Sequence, residues 1–380
     1  MWKICACAGL MVALADGVSV PAQVPPSDDL SSEIDALVDS ACGAAGTTPA
    51  ATCDDATFLR RAWLDLAGRV PPLLAARDFL KDEAADKRAR LVDELLGSEE
   101  FADHWGRVFA EFLTDRRAVA QPPYNGRVLH DYLRKALAAD TSYRQIARDL
   151  IAGSGPNDAS GPANFLLCYQ VDPAQLTGAV AKKFLGVSLE CAQCHHHPFD
   201  RWTRDDFWGI AACFARTRQM NSNDGQLFAV VDARAGELEI DAPPAAVGDD
   251  ASATASSGEA PAEAPPQKQR VGPRLLDGTT LAADSPRRAE LAAWITGGGN
   301  VDFARQATNV VWRTLFSQRL AAAHGDDSPF AKFEAELLDR LATAFAAGDF
   351  RVKRLLRAIL LSRAYARESA VSWHSRPRLC

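Results

Sequence analysis

Phe101-Ala-Asp-His-Trp105-Gly-Arg-Val108-Phe109-Ala-Glu-Phe112 sets five bulky apolar side chains at i, i+4, i+7, i+8 and i+11. That recurrence is one face of a helix with 3.6 residues per turn, whereas a strand would alternate. Four of the five are aromatic, so the face has to be covered and its residues are core before they are anything else. The helical pattern spreads outward over residues 57–151. Ser142 and Gln145 stand at capping-box spacing before a helix that carries Ile146 and Leu150. Asp172 followed by Pro173 opens another helix, expected to run to about Leu185 and stop at Gly186. Thr203 with Asp206 caps a third, with Phe207, Ile210 and Phe214 on it. Near the other end, Ser285-Pro286 starts a helix that Gly297-Gly-Gly stops. Leu337, Leu338, Leu341 and Phe345 stripe one more, and Val352, Leu355, Leu356, Ile359 and Leu360 stripe the last. The expected fold is mostly α.

Three stretches break the helical pattern. Gly153-Ser-Gly-Pro-Asn-Asp-Ala-Ser-Gly-Pro162 is a run of turn formers and reads as a loop. Leu227 to Ile240 alternates around Ala-Arg-Ala-Gly and predicts a small β-hairpin. Residues 241–269 are alanine, proline, serine, glycine and acid, too little apolar surface to offset ordering, and read as a flexible linker. With 380 residues, 47% hydrophobic and 24% charged, the chain has material for two modest cores. The expected organisation is a secretory signal over 1–22, an N-terminal segment over 23–56 and a helical domain over 57–225. A hairpin over 226–241, a linker over 242–270, a second helical domain over 271–368 and a tail over 369–380 complete it.

The signal is read from one lysine ahead of a short apolar run that ends in small residues, with Ala13-Leu-Ala15 or Ala22 at the cleavage point. The run is too short for a membrane span, so no transmembrane span is expected beyond the signal. The predicted location is periplasmic or extracellular, where disulfides persist. Cys42 and Cys53 flank a loop-like stretch and are expected to pair with each other. A formal net charge of -7 without a dense basic tract excludes a general nucleic-acid binder. Arg116-Arg117 and Arg287-Arg288 are expected at solvated helix ends, and Lys353, Arg354 and Arg357 on a solvated face. Arg60, Arg61 and Asp65 are expected to form a buried ion pair. The chain has no glycine-rich phosphate loop and no nucleophile elbow.

The chemistry concentrates in Cys191-Ala-Gln-Cys194-His195-His196-His197-Pro-Phe-Asp200, on a connector between two helices. Two thiols two residues apart, followed by an imidazole, form the C-x-x-C-H arrangement of haem c attachment. Each thiol can add to a haem vinyl group, and His195 can turn a ring nitrogen to the iron. Met220 is the only methionine left once the signal is removed, which makes it the sulfur candidate for the opposite face. His197 is a rival, too close to His195 to reach that face easily. The same donors suit a metal: Cys191, Cys194, His195 and His197 form a local set for zinc or iron. Such an ion would either staple a scaffold or, with an acid such as Asp200, activate water as in a metallohydrolase. A plain Cys191–Cys194 disulfide with surface histidines is the third reading.

These residues resemble a family. Phe184-Leu-Gly-Val187, Cys191-Ala-Gln-Cys194-His195, His197-Pro-Phe-Asp200 and Arg201-Trp202 closely resemble the signature of a planctomycete cytochrome-like domain of unknown function. Arg60-Arg61-Ala-Trp-Leu-Asp65-Leu-Ala-Gly68-Arg-Val-Pro71 is similar to its opening motif. Arg274-Leu-Leu-Asp-Gly278, Asn309-Val-Val-Trp312 and Lys353-Arg-Leu-Leu-Arg-Ala-Ile-Leu-Leu-Ser-Arg-Ala-Tyr365 are similar to the planctomycete-specific domain that usually follows. Val310 stands where that domain usually has arginine, and the stretch before Glu336-Leu-Leu-Asp339 is shorter, so a shortened form is expected. The resemblance implies a cytochrome relationship and names no reaction. The combined expectation is an exported haem c protein in electron transfer or redox support, with an unidentified redox or protein partner; whether it is an enzyme is left open.

Overall fold

The computed structural model describes residues 27–115, 120–196, 200–223, 225, 227–241, 268–320 and 331–368. The signal, Arg116-Arg117, most of the linker and the tail lie outside them. Five helices come first: α1 (Ser27–Ala44), α2 (Asp55–Ala67), α3 (Leu73–Lys81), α4 (Lys87–Gly97) and α5 (Glu99–Thr114). Their ends follow local chemistry. The Asp54 carboxylate accepts from Thr57 N–H at 2.8 Å to open α2, and the Ser98 hydroxyl accepts from Phe101 N–H at 3.1 Å to open α5. Strands β1 (Ala120–Gln121) and β2 (Tyr124–Asn125) form a short antiparallel ladder. Then come α6 (Gly126–Ala138), α7 (Tyr143–Ala152), β3 (Gly155–Pro156), α8 (Gly161–Cys168) and α9 (Pro173–Val180). Asp172 caps α9 as expected, and the helix continues as a π-helical turn, Ala181–Leu185, that ends at Gly186. After a 3-10 turn, Glu190–Gln193, α10 (Arg204–Cys213) starts on the Thr203 and Asp206 capping box.

Strands β4 (Thr217–Asn221), β5 (Phe228–Asp232), β6 (Leu238–Asp241) and β7 (Lys268–Val271) follow, then α11 (Arg287–Ile295), α12 (Val301–Phe316), α13 (Ala331–Ala347) and α14 (Val352–Leu360). The protein is mostly α, with small antiparallel sheets. No helix among the described residues is long and apolar enough to cross a membrane.

The α5 stripe is core. Phe101, Trp105 and Phe109 are fully buried, and Trp105 Nε1 donates to the Asp65 carbonyl at 3.0 Å. Ring contacts continue from Phe109 to Tyr143 at 5.4 Å, Tyr143 to Phe303 at 5.6 Å and Phe303 to Phe350 at 5.2 Å. That chain of aromatics crosses from the first helical region into the second. α1 packs on α14 and α13, α11 on α7, and α12 on the π-helical turn. The buried side chains of both regions, from Leu30 to Ala366, therefore form one continuous cluster.

Several local expectations change under tertiary pairing. Leu227 to Ile240 does not fold back on itself: β5 pairs with β4 on one edge and β3 on the other, while β6 pairs with β7. With both edges of β5 occupied, the chain after it is drawn away by Glu237, which binds Arg287 at 2.7 Å and Arg216 at 3.0 Å. Arg287 and Arg288 are not solvated. They are 4% and 3% exposed, and Arg288 grips the Asp232 carboxylate at 2.7 Å. Lys353 and Arg357 also reach back to the first region, Lys353 over the Phe101 ring and Arg357 to Asp93 at 2.6 Å. The Ser142 hydroxyl donates to the Asp349 carbonyl at 2.7 Å instead of closing a box with Gln145. Asp65 takes the Tyr365 hydroxyl at 2.6 Å, and Arg61 lies on the Tyr365 ring at 4.5 Å. Cys42 is in a disulfide but Cys53 is a free buried thiol, so the two do not pair. The reason is positional: Cys53 N–H donates to the Ala366 carbonyl at 2.7 Å, which draws the loop toward the C-terminal end of the second region.

Candidate haem or metal site

The connector carrying the cysteines is anchored at both ends by glycines. Gly186 holds a left-handed φ of 72°, and a Cβ there would come within 2.8 Å of Gln306 Oε1 on α12. Gly209 lets α10 approach Arg274, whose own Cβ would stand 3.0 Å from an added one. Arg274 N–H donates to the Gly209 carbonyl at 3.1 Å, and its guanidinium meets Asp206 at 3.2 Å. The segment from Arg274 to Gly278 in the second region thus supports the motif in the first. Sequence reading missed this contact, although both glycines are visible in the motif as places where a side chain is excluded.

Between these anchors, a small apolar cluster of Ala181, Leu189, Ala192, Trp202 and Phe207 lies under the turn. Ala192, between the two cysteines, is fully buried, which turns its neighbours outward. Trp208 Nε1 donates to the Gln193 carbonyl at 3.0 Å and pins the turn to α10. Cys191 and Cys194 are both free and exposed, so no disulfide joins them. His195 follows directly, also exposed, with Nδ1 at 2.7 Å from the His196 carbonyl. A carbonyl only accepts, so this contact requires a proton on Nδ1, and in the neutral ring the lone pair is then on Nε2. That is the tautomer in which an imidazole serves as a ligand through Nε2, held by a backbone oxygen behind it.

His197 lies outside the described residues. Asp200 accepts from Arg201 N–H at 2.7 Å. Met220 sits on β4, opposite Ala229 of β5, and is 57% exposed. Among the described residues no three histidine, cysteine or acidic side chains converge as a metal site. In the apolar cluster under the turn, Trp202 Nε1 is buried and has no acceptor among the described residues. A buried donor without a partner is costly, and an anionic group on a bound cofactor would supply one. The donors present are of the kinds that covalent haem requires: two accessible thiols on one turn and one imidazole whose Nδ1 faces a backbone carbonyl.

Residues 33–219 match the family described as PSCyt2, protein of unknown function (DUF1549), and residues 287–377 match the one described as PSD1, protein of unknown function (DUF1553). No curated protein and no solved structure matches the chain. The glycine-anchored cysteine turn falls in the first matched segment and its support begins just before the second, and the order of the two matches is consistent with a planctomycete-type domain pair.

Proposed function

We propose that this chain is an exported haem c-binding protein serving electron transfer or redox support outside the cytoplasm, with Cys191 and Cys194 as thioether anchors and His195 as proximal ligand. The observation that carries the reading is the His195 contact to the His196 carbonyl at 2.7 Å, which orients a free Nε2 beside two exposed thiols. When bound, haem supplies a one-electron iron couple. The chain's own residues do the rest. Trp208 and buried Ala192 hold the turn, the His196 carbonyl fixes the tautomer, and the Trp202 N–H offers a hydrogen bond. Export is supported by the disulfide at Cys42, a bond that persists in oxidising compartments.

Protein exported from a host that matures c-type cytochromes should keep its haem through denaturation, since the link is covalent. Replacing both Cys191 and Cys194 by serine should abolish attachment, while His195→Ala should leave a tethered ring with an altered iron spectrum. Correctly exported protein that carries stoichiometric zinc or iron and no covalent haem would replace this reading with a Cys/His metal site; metal bound only through its side chains is lost when the ligands scatter on unfolding.

A further inference from the structure

The two helical regions meet around a cleft of about 740 Å³ walled by the end of α5, the π-helical turn and α12. Four cations line it, Lys182, Lys183, Arg313 and Arg319, against two acids, Glu111 and Asp115. One cation is already used: Lys183, 3% exposed, is ion-paired with Asp115 and stands over the Phe112 ring at 5.0 Å. The other three are not. Arg319 donates to Gln306 Oε1 at 3.3 Å, and neither it, Arg313 nor Lys182 has a carboxylate partner among the described residues. They also crowd one another. Burial and then the charge of Arg313 lower the Arg319 pKa, and Arg313 acts in the same sense on Lys183, where burial is again the larger cause.

Guanidiniums that line one cleft without a carboxylate partner repel each other, and a counter-charge joining them relieves that repulsion. Arginine pairs suit tetrahedral oxyanions, whose oxygens accept the planar fork two at a time. The π-helical turn contributes by geometry, placing Lys183 in the interior and Lys182 on the surface of the same cleft, and such turns recur at functional sites. Gln306 Nε2 donates to the Lys182 carbonyl at 2.9 Å and fastens the turn to α12. Phe112 and Val310 give the cleft an apolar wall.

We infer that this cleft binds a phosphate-class oxyanion carried on an organic body, with Arg313, Arg319 and Lys182 on the anion and Phe112 and Val310 against the body. The inference is independent of the cysteine motif. The test uses the full chain, titrated by calorimetry with inorganic phosphate and with phenyl phosphate against chloride of equal ionic strength. Saturable phosphate binding is expected, severalfold tighter for phenyl phosphate. Arg313→Gln and Arg319→Gln should each weaken it at least tenfold. Both residues are exposed, although the cleft partly desolvates the Arg319 guanidinium, so the variants are expected to fold; without phosphate, Arg319→Gln should melt no lower than wild type, because one of two crowded charges is gone. Phosphate that behaves like chloride, or binding unchanged in the double variant, overturns the site. A large loss of unliganded melting temperature in Arg319→Gln would make that residue structural and overturn it too. Equal affinity for phosphate and phenyl phosphate overturns the organic body.

Discussion

Arg288→Met tests how the two regions are held together. Arg288 is 3% exposed and uses its whole fork: Nε and Nη2 reach both Asp232 oxygens at 3.0 and 2.7 Å, and Nη1 reaches the Gly153 and Ile151 carbonyls at 2.6 and 3.2 Å. One side chain on α11 thereby closes the open end of α7 and ties down β5. Methionine keeps the apolar stem and deletes the fork. Asp232 is half exposed, so it regains water and its share of the loss is under about 1 kcal/mol. The two carbonyls lose a charged donor, and a buried group left unpaired costs about 1–3 kcal/mol. The total comes to about 3 kcal/mol, or roughly 4 °C in melting temperature for a chain of this size. Urea unfolding followed by tryptophan fluorescence measures it. Arg288→Lys should recover less than half, because a point charge cannot span four acceptors. Arg270→Met, at a pair with Glu239 that is 78% exposed on the arginine side, should be indistinguishable from wild type. If Arg288→Met also matched wild type, or lysine restored stability in full, the clamp would be wrong.

Two further outcomes follow from buried groups. Burial holds the Asp65 carboxyl above its ordinary value, with the Tyr365 hydroxyl and Arg61 pulling the other way. A raised folded value favours the protonated form, so its stabilisation is complete below the unfolded value and is lost as pH rises through the folded one. Asp65→Asn lacks that loss, and its stability deficit against wild type should shrink between about pH 4 and pH 7; a constant deficit in urea midpoints would refute this. In protein made without haem, iodoacetamide at about pH 8 should label exposed Cys191 and Cys194 in the native state. Cys213, whose thiol burial pushes up to about 12, should label only on unfolding. Peptide mass spectrometry reads both, and equal rates for Cys213 and Cys194 would contradict the burial.

The α class was legible from periodicity alone. The Phe101 to Phe112 stripe, the Asp172 and Thr203 caps and the Val352 to Leu360 stripe are local patterns, and each became the element its spacing required. The Cys191, Cys194 and His195 cluster was equally plain, because its chemistry lies within five consecutive residues. What surrounds it was not. Nothing local says that Gly186 presses on Gln306, that Gly209 admits Arg274, or that Trp202 keeps an unanswered N–H.

Cations show the divide most clearly. Arg288 and Arg270 are both arginines near turn or linker residues, yet one is sealed among carbonyls and the other is in water. The same holds for Ser142 and for the strand after Leu227, whose local signals were overridden by Asp349 and by β4. Backbone periodicity and caps are decided within one or two helical turns, so the sequence by itself determined the helices and the donor set of the motif. Which partner a long side chain or an open strand edge takes depends on groups that adjoin it only after the chain has packed. The tertiary structure alone therefore decided the shared core, the strand pairing and the cationic cleft.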